Sequence, residues 1–375
     1  MKEIYLVRHT QAEGNRYRML QGSWDGRVTK LGKRQIDALA ERFKDIPVEE
    51  VWSSDLKRAM QTADAAARWK SLPIHTSPDL RELDIGPWER KFFGNVMHDH
   101  PDVGRQFIFD PEHFYLEGAE TYSQVRERAL RGLMQICRES EANVIAVFSH
   151  GVALRCIMSG ITGIPLNDVS NLPIFKNTAV TKLLWDGEAF TVCYMNDFSH
   201  LPPEEQTAWS IVRDVRDECF RPGIDRVYYE TCYADSWMSV HGSLEDYSAP
   251  VYYNAALRHH AVHPGAVMRL YQLEEPVGLI DLDTERGKEE GTGWISLLYL
   301  KESYRNKGYG IQLLGRAEML YEDLGRKCLQ LQVSEKNGIA LAFYSRKGFQ
   351  IVGETDTAGG KLLLMEKKLG DLDNE

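Results

Sequence analysis

The sequence lacks several features that would point to a membrane, a nucleic acid or a metal. It has no apolar run near the roughly 20 residues that a membrane-spanning helix needs, and MKEIYLVRH at its start leads directly into a predicted strand. It has no basic run, and 55 acidic side chains against 45 Lys and Arg give a net charge of -10. None of its six cysteines belongs to a Cys-x-x-Cys pair. We therefore expect a cytoplasmic protein with buried, reduced thiols and no zinc site, which binds neither membranes nor nucleic acid.

The length of the chain predicts more than one domain. A single core rarely fills 375 residues, and 43% apolar with 27% charged residues is ordinary for globular protein. The Pro202-Pro203 pair and the Pro222-Gly223 pair mark the ends of an acidic segment that is typical of a junction. We predict domains at 1–203 and 223–375 with a linker at 204–222, although 207–215 could also pair as a strand with either domain.

Short apolar runs alternate with helical patterns through the first half of the chain. This alternation predicts an α/β domain with a mostly parallel sheet and helices on both faces. Ligands of such sheets bind outside the carboxyl ends of the strands. The predicted strands are 4–7, 51–52 and 143–148, and the predicted helices include 31–43 and 122–138.

Cationic and imidazole side chains from four separate segments follow these strand ends. Arg8 and Arg58 can each grip a phosphate dianion with bidentate, charge-assisted hydrogen bonds, and His150 lies at the same edge. His9 is the candidate nucleophile, because an imidazole nitrogen can form a covalent phosphohistidine and split one displacement into two. Glu82 is the candidate acid for the leaving group, since a neighbouring phosphate would raise the pKa of its carboxyl.

Seven segments carry a family resemblance in the right order. They are LVRHTQAEGN at 6–15, QGSWDGRVTKLGKRQ at 21–35, SSDLKRAMQTA at 53–63, RELDIGPWE at 81–89, EGAETYSQVRER at 117–128, FSHG at 148–151 and MNDFSHL at 195–201. Residues 1 to about 200 thus resemble the phosphoglycerate-mutase-like branch of the histidine phosphatase superfamily. The resemblance implies that His9 is phosphorylated, that Arg8, Arg58 and His150 bind the phosphoryl group with support from Asn15, that Glu82 acts as acid and then base, and that no metal is needed.

Two positions depart from the pattern of that family. Thr10 and Arg90 stand where the family commonly has glycine; Thr10 could narrow the pocket floor, and Arg90 could add charge near the substrate mouth or be a solvated loop residue. The segment 88–118, which would cover the pocket, is short and aromatic rather than basic, so its side chains are either packed under a cap or in contact with substrate. A mutase needs a substantial lid, so hydrolysis of a small phosphomonoester is favoured over phosphoglycerate mutation.

The second half begins with helical patterns at 226–241 and 251–260 and continues with strands at 267–273, 277–283 and 293–300. The segment RNKGYG at 305–310 precedes an amphipathic helix that reaches residue 324. Gly308 and Gly310 allow backbone N–H groups to approach an anion, and the helix N-terminus adds its positive dipole end. This arrangement predicts a pyrophosphate site.

The strand at 328–333 and the segment EKNGIALAFYSRKGF that follows strengthen this interpretation. The span from about 224 to 369 resembles the GNAT acyltransferase family, a mixed α/β fold. The resemblance implies acetyl-CoA as cofactor and Tyr344 as the acid that protonates the leaving thiolate. The general base stays open among Asp281, Asp283, Glu285 and Glu335. The residues implied in cofactor binding are Leu298, Leu300, Arg305, Asn306, Lys307, Gly308, Tyr309, Gly310 and Asn337.

These features together predict a bifunctional enzyme. It would hydrolyse a small phosphorylated metabolite through a phosphohistidine without a metal, and transfer acetyl from acetyl-CoA to an amine. Alternatives are a phosphatase regulated by a non-catalytic, acetyl-CoA-sensing GNAT domain, phosphoglycerate-mutase-type phosphoryl transfer, and a scaffold that binds phosphorylated partners without turnover. The sequence does not identify the phosphomonoester, the amine, the oligomeric state or any coupling of the two activities.

Overall fold

The computed structural model describes residues 1–207, 215–357 and 360–370. The chain divides into two compact units, Met1–Arg213 and Asp214–Glu375. Each unit has its own sheet. Among the helices of the described residues, none combines the length and the apolar character needed to cross a membrane.

The first unit is a six-stranded α/β sheet with helices around it. Its strands are β1 (Lys2–Arg8), β2 (Glu50–Ser53), β3 (Ile74–Thr76), β4 (Val144–Ser149), β5 (Val180–Trp185) and β6 (Phe190–Asp197). Its helices are α1 (Glu13–Tyr17), α2 (Lys30–Phe43), α3 (Lys57–Ala67), α4 (Phe93–Asp99), α5 (Pro101–Phe109), α6 (Tyr122–Glu139) and α7 (Gly151–Thr162). The strand order is β3-β2-β4-β1-β5-β6, in which the first four strands are parallel and β5 and β6 are antiparallel.

Both faces of this sheet are buried against helices. Successive side chains of a strand point to opposite faces, and β1 shows the consequence clearly. Ile4 and Leu6 belong to one apolar cluster together with residues of α6 and α7, whereas Tyr5 and Val7 belong to another with residues of α2 and α3. The prediction of a mostly parallel sheet covered on both faces is confirmed, and it places the carboxyl ends of β1 and β4 side by side.

The second unit contains a seven-stranded mixed sheet. Its strands are β7 (Val215–Cys219), β8 (Val267–Gln272), β9 (Glu275–Asp283), β10 (Thr292–Leu300), β11 (Cys328–Ser334), β12 (Gln350–Thr357) and β13 (Gly360–Lys368). Its helices are α8 (Arg226–His241), α9 (Ala249–Val262), α10 (Tyr309–Asp323) and α11 (Gly338–Arg346). The order is β12-β13-β11-β10-β9-β8-β7, with β10 and β11 parallel and the other pairs antiparallel.

The linker predicted at 204–222 was wrong in its second half, because 215–219 forms strand β7 at the edge of the second sheet. Residues 208–214, which include most of the possible strand at 207–215, lie outside the described residues. The charged residues of this segment are typical of a linker, but in the structure Arg216 and Asp217 interact with oppositely charged side chains of the second unit. Arg216 contacts Glu274 at 3.2 Å, and Asp217 accepts a hydrogen bond from Arg316 at 3.0 Å.

Candidate active sites

The first site lies at the carboxyl ends of β1 and β4. Arg8 pairs with Ser149 across these parallel strands, so His9 and His150 follow at adjacent positions, with ring centroids 5.0 Å apart. The Nδ1 atom of His9 lies 2.6 Å from the carbonyl oxygen of Thr10. Because a carbonyl oxygen can only accept, Nδ1 carries the proton, and the lone pair of Nε2 is available for attack.

Burial and nearby cations keep the imidazoles of this site neutral. Burial, followed by the charges of Arg58 and Arg8, holds the pKa of His9 well below its ordinary value. The pKa of His150 is likewise held well below its ordinary value by burial, then by Arg58, His9 and Arg8. Burial lowers the pKa of Arg8 and of Arg58 to about 10, so both guanidinium groups stay charged at neutral pH. A neutral nucleophile beside two fixed cations suits attack on a phosphate dianion.

Backbone carbonyls fix the orientation of both arginines. Arg8 donates to the carbonyl of Phe175, and Arg58 donates to the carbonyls of Gly22 at 2.7 Å and Trp24 at 2.8 Å. Within the part of the chain that the structure describes, neither Nε atom has a hydrogen-bond partner. Of these two buried donors, the Nε of Arg8 belongs to a residue that lines the cavity, and an anion bound there could satisfy it.

Glu82 lies at the N-terminus of α7. Its carboxylate accepts hydrogen bonds from the N–H groups of Val152 at 3.1 Å and Ala153 at 3.0 Å, where the helix dipole favours a negative charge. A methyl group on Gly151 would lie 3.4 Å from Nε of Arg8 and 3.7 Å from Oε2 of Glu82. The predicted acid and one predicted phosphate ligand therefore meet at the start of this helix.

A residue that sequence reasoning missed holds the segment around Glu82. Arg128 on α6 donates at 2.8 Å to each of three backbone carbonyls, those of Asp79, Arg81 and Glu82. Its guanidinium also grips both carboxylate oxygens of Glu120, at 2.8 and 2.7 Å. The motif at 117–128 contained this arginine, but a helix-surface charge gives no sign of which distant loop it binds.

A cavity of about 380 Å³ opens at this site. Its walls include Arg8, His9, Asn15 and Glu82, whereas Arg58 and His150 are not among the residues that line it. Asn15 also shapes the loop, because its Oδ1 accepts from the N–H of Ala12 at 3.1 Å and from Asn177 at 3.4 Å. The apolar part of the wall consists of Met19, Leu20, Leu83, Ile85, Phe107, Ile108, Phe109, Pro111, Val152, Val169, Ile174 and Phe175.

The aromatic side chains of segment 88–118, which covers the pocket, both pack against one another and line the cavity. Phe107 is buried in an aromatic cluster with Trp88 and Phe114, and it also lines the cavity. Phe109 lines the cavity as well and is 58% exposed at its rim. The aromatic side chains therefore pack beneath the cap and also form part of the pocket wall.

Arg155 is a second residue that the sequence did not reveal. It lies one helical turn after Gly151 on α7, is half-buried and lines the cavity. Burial lowers its pKa. Its guanidinium donates a long hydrogen bond, 3.4 Å, to the carbonyl of Leu172, and it forms no salt bridge with any carboxylate of the described residues. Its spacing from the FSHG motif, which places it on the same helix face as Gly151, is the signal that could have identified it.

The two positions that depart from the family pattern lie outside this cavity. Thr10 is fully buried, and its hydroxyl lies 2.7 Å from the carbonyl oxygen of Gly32 and 2.9 Å from Oε1 of Gln35. It therefore anchors the loop to α2, and the idea that it narrows the pocket floor was wrong. Arg90 has a φ of 63° and places its guanidinium 5.6 Å from the ring centroid of Trp24.

The second site is a cavity of about 520 Å³ in the second unit. Seven of the predicted cofactor-binding residues line it, together with the predicted acid Tyr344, whereas Lys307 and Tyr309 do not. Tyr309 instead opens α10 and is buried in the core. The seven lining residues are Leu298, Leu300, Arg305, Asn306, Gly308, Gly310 and Asn337.

The backbone before α10 forms a cradle beside this cavity. Asn306 and Gly308 adopt positive φ angles of 61° and 86°, and the N-cap position of α10 is Gly308, which has no side chain to cap the helix. The N–H groups and the positive dipole end of a helix N-terminus suit a pyrophosphate. A Cβ on Gly310 would lie 3.2 Å from the ring of Phe343, so glycine allows this ring, which also lines the cavity, to pack closely on α10. Burial raises the pKa of Tyr344, which keeps its phenol protonated and able to act as an acid.

None of the four carboxylates considered as general bases lines this cavity. Glu285 lies 3.4 Å from Lys288, and Glu335 accepts from the N–H of Lys361 at 3.1 Å. Asp281 is buried and bonded to Tyr229 and a histidine. Across residues 1–207, 215–357 and 360–370, no group of three or more His, Cys, Asp and Glu side chains is arranged to hold a metal ion.

Comparisons with known proteins identify both units. Residues 4–198 match the model of the histidine phosphatase superfamily (branch 1), and residues 208–349 match that of the acetyltransferase (GNAT) family. A Hydrogenobacter thermophilus protein named as a phosphoserine phosphatase is 30% identical over 200 residues, which are 53% of this chain and 98% of the relative. A Cronobacter sakazakii protein named as the phosphoglycerate mutase GpmB is 29% identical over 207 residues, which are 54% of this chain and 95% of the relative.

A solved structure gives the same result for the first half. The structure titled Bacillus stearothermophilus YhfR is 28% identical to this chain, with a TM-score of 0.52. The match covers 53% of this chain and 99% of that protein. The family model of the first unit spans more than half of the sequence. The chain therefore belongs to the histidine phosphatase superfamily, and a GNAT acetyltransferase domain follows its phosphatase domain in the same polypeptide.

Proposed function

We propose that this chain is a cytoplasmic, bifunctional enzyme. Its first unit would hydrolyse a small phosphomonoester through a phosphohistidine, without a metal, and its second unit would transfer acetyl from acetyl-CoA to an amine. The observation that carries the phosphatase proposal is the fixed tautomer of His9. Its Nδ1 donates to the carbonyl of Thr10 at 2.6 Å, so that Nε2 is free to attack.

Each residue of the first site has a distinct role in the proposed reaction. His9 attacks phosphorus while Glu82 donates a proton to the leaving alkoxide, and Glu82 then removes a proton from the water that releases phosphate. The charges of Arg8 and Arg58 stabilise the negative charge of the transferring group. The N–H groups of Val152 and Ala153 hold the carboxyl group of Glu82 at the start of α7, so the same group is in position for both proton transfers.

Arg155 supports a narrower substrate class. A half-buried guanidinium in the cavity wall, without a carboxylate partner among the described residues, suits a second anionic group on the substrate. The two relatives are named for phosphoserine and phosphoglycerate, and each of these compounds carries a carboxylate beside its phosphate. We propose that the substrate is a phosphomonoester with a carboxylate or a similar anion a few bonds from the ester.

The second site supports acetyl transfer. The cradle at Asn306 and Gly308 would hold the pyrophosphate of acetyl-CoA, and Leu298 and Leu300 would lie along its pantetheine arm. The thioester supplies an activated acyl group when it is bound. Tyr344 would give its proton to the sulfur as the carbon–sulfur bond breaks.

A phosphate-release screen tests the first activity. Purified protein and its His9→Ala variant are assayed against phosphomonoesters with and without a carboxylate, in the presence of EDTA. We expect a preferred carboxylate-bearing substrate, no turnover by His9→Ala and no effect of EDTA. An acid-labile phosphoprotein should be trapped by rapid quenching of the wild-type reaction. Activity that survives His9→Ala would contradict the phosphohistidine, whereas transfer of phosphate to phosphoglycerate in place of water would favour the mutase reaction.

Thiol release from acetyl-CoA tests the second activity. The protein is mixed with acetyl-CoA and a panel of polyamines, amino acids, aminoglycosides and peptides with a free amino terminus. We expect at least one amine to accelerate thiol release and to gain 42 Da by mass spectrometry, the mass of an acetyl group less a proton. If no amine does so while acetyl-CoA changes the phosphatase kinetics, the second unit is a sensor and acetyl transfer is excluded.

A further inference from the structure

The second unit contains a buried histidine–carboxylate pair that is not part of the lining of the acetyl-CoA cavity. Nδ1 of His259 on α9 donates to Oδ1 of Asp281 on β9 at 2.6 Å. The other carboxylate oxygen of Asp281 accepts a hydrogen bond from the hydroxyl of Tyr229 at 2.7 Å. The side chain of Asp281 is 1% exposed and that of His259 is 12% exposed. The pair therefore fixes the histidine tautomer and leaves Nε2 on the outer side.

Strand register brings Asp281 next to the strand that borders the cofactor cavity, although neither member of the pair lines that cavity. Asp281 lies directly opposite Leu297 on β10, and the next residue, Leu298, lines the cavity. The ladder between β10 and β11 runs only from Thr292 to Ile295 on the β10 side, and β10 has an irregularity immediately after Ile295. The backbone around Leu297 is thus where the two parallel strands have separated.

The pair lies on the helix-covered side of this opening. Leu297 and Tyr229 belong to the same apolar cluster, which packs β9 and β10 against α8 and α9. Tyr299, two residues further along β10, packs against that cluster and also lines the cavity. An amine that reaches the opening from the side of α8 and α9 would therefore pass close to His259.

Charged groups around the pair make His259 a stronger base than an isolated histidine. Burial disfavours its protonated form, but the hydrogen bond to Asp281 and the charges of Asp281 and Asp283 outweigh burial and raise its pKa, against a small opposing effect of Arg258. Nε2 lies 3.4 Å from Oδ2 of Asp283, whose side chain is 26% exposed. On the remaining sides, α8 contributes the hydroxyl of Tyr229 to the pair, and β8 contributes an apolar residue opposite Asp281.

We propose that His259 is the general base of the acetyltransferase and that Asp281 is its positioning residue; this inference rests on the proposed acetyl transfer. The amine nitrogen forms a bond to the thioester carbonyl carbon, and Nε2 of His259 takes the proton that the nitrogen loses. The carbon–sulfur bond then breaks, and the thiolate takes a proton from Tyr344. The imidazolium then releases its proton to water past the half-buried carboxylate of Asp283, and the phenolate of Tyr344 takes up a proton from water, so that both groups return to their starting forms. The products are an amide and a thiol, and no further reactant is needed.

The test uses the full-length protein and the amine that the thiol-release screen identifies. His259→Gln should lower kcat on the order of 100-fold while the KM for acetyl-CoA stays within about twofold, because a base acts in the transition state and does not hold the cofactor. In the wild type, log kcat should rise with pH and level off above the pKa of His259. Asp281→Asn removes the charge that raises this pKa and should move that limb to lower pH by about one unit.

A matched control lies next to the base on the same helix. His260 packs edge to face on Phe220, with ring centroids 5.9 Å apart, so His260→Gln should keep kcat and the pH limb. NMR titration of the imidazole protons, without acetyl-CoA, should show a pKa above the ordinary histidine value that His259→Gln removes and Asp281→Asn lowers.

Three results have distinct meanings. If the wild type releases no thiol with any amine, the proposed acetyl transfer itself fails. If the wild type is active and His259→Gln keeps both its rate and its acidic limb, acetyl transfer stands and this inference is overturned. If His259→Gln loses activity while circular dichroism shows it unfolded, His259→Asn and the imidazole titration decide, and an unshifted His259 pKa would count against the proposal.

Discussion

The clamp that Arg128 places on the segment around Glu82 can be tested by Arg128→Lys. The guanidinium makes five hydrogen bonds, three to backbone carbonyls and two to Glu120. A lysine ammonium offers three donors from a single point, so at least two of these bonds are lost. At roughly 1.5 kcal/mol for each charge-assisted bond, the loss would be about 3 kcal/mol without compensation.

Solvent near the clamp makes the expected loss of stability smaller. The side chains of Arg128 and Glu120 are 13% and 27% exposed, so solvent can reach part of the clamp. We expect the free energy of unfolding of the first unit to fall by about 2 kcal/mol. The effect on catalysis should be specific: a carboxyl displaced by a fraction of an ångström lowers kcat on the order of 10- to 100-fold. The KM should change little, because Arg8 and Arg58 are untouched.

Phosphate release and urea-induced unfolding measure the two effects, and Arg131→Lys is the control. Arg131 lies less than one helical turn from Arg128 on α6 and is 57% exposed; within the described part of the chain, its guanidinium bonds only to the carboxylate of Asp79, at 3.0 and 3.4 Å. Arg131→Lys should keep kcat and nearly all of the stability. Equal effects of the two substitutions, or an unchanged kcat in Arg128→Lys, would refute a clamp on Glu82.

Three further predictions follow from buried groups. The free energy of unfolding of the first unit should be at its full value above about pH 6.5 and should fall below that pH by up to roughly 1.4 kcal/mol per pH unit for each of His9 and His150. The cause is that both histidines bind a proton in the unfolded chain but stay neutral when buried in the folded unit. Calorimetry should show a shallower decline in His150→Gln. Gly310→Ala should weaken acetyl-CoA binding about tenfold by titration calorimetry, because the new methyl presses on Phe343. Tyr344→Phe should slow thiol release on the order of 100-fold and leave acetyl-CoA binding unchanged; an unchanged rate would remove the tyrosine from the mechanism.

The sequence was sufficient to predict which polar residues of the first unit lie together at one edge of the sheet. Apolar runs end where parallel strands end, and polar residues at those points must share one edge of the sheet. His9 and His150 were brought together by this rule alone, and the structure places their rings 5.0 Å apart. The pyrophosphate site of the GNAT region was predicted from a different pattern, namely the glycines of 305–310 directly before a predicted helix.

Other residues of the two sites could not be predicted without the tertiary structure. Arg128 and Arg155 look like ordinary helix-surface charges, and only tertiary packing shows that one binds the loop of Glu82 and the other faces the cavity. His259 and Asp281 are 22 residues apart, on a helix and on a strand, and no periodic pattern links such positions. Lys307 and Tyr309 were included in the cofactor site because they belong to the motif, although their side chains do not line the cavity.

Strand β7 determines where the two units of the chain can be separated. It covers the outer edge of β8 along residues 215–219, and Glu218 provides a carboxylate 2.9 Å from the buried guanidinium of Arg269. A recombinant acetyltransferase fragment that began at residue 223 would present β8 as an unpaired edge, which is a template for aggregation. The same fragment would leave Arg269 without one of its two carboxylate partners. Separate expression of the two units therefore requires a boundary before residue 215.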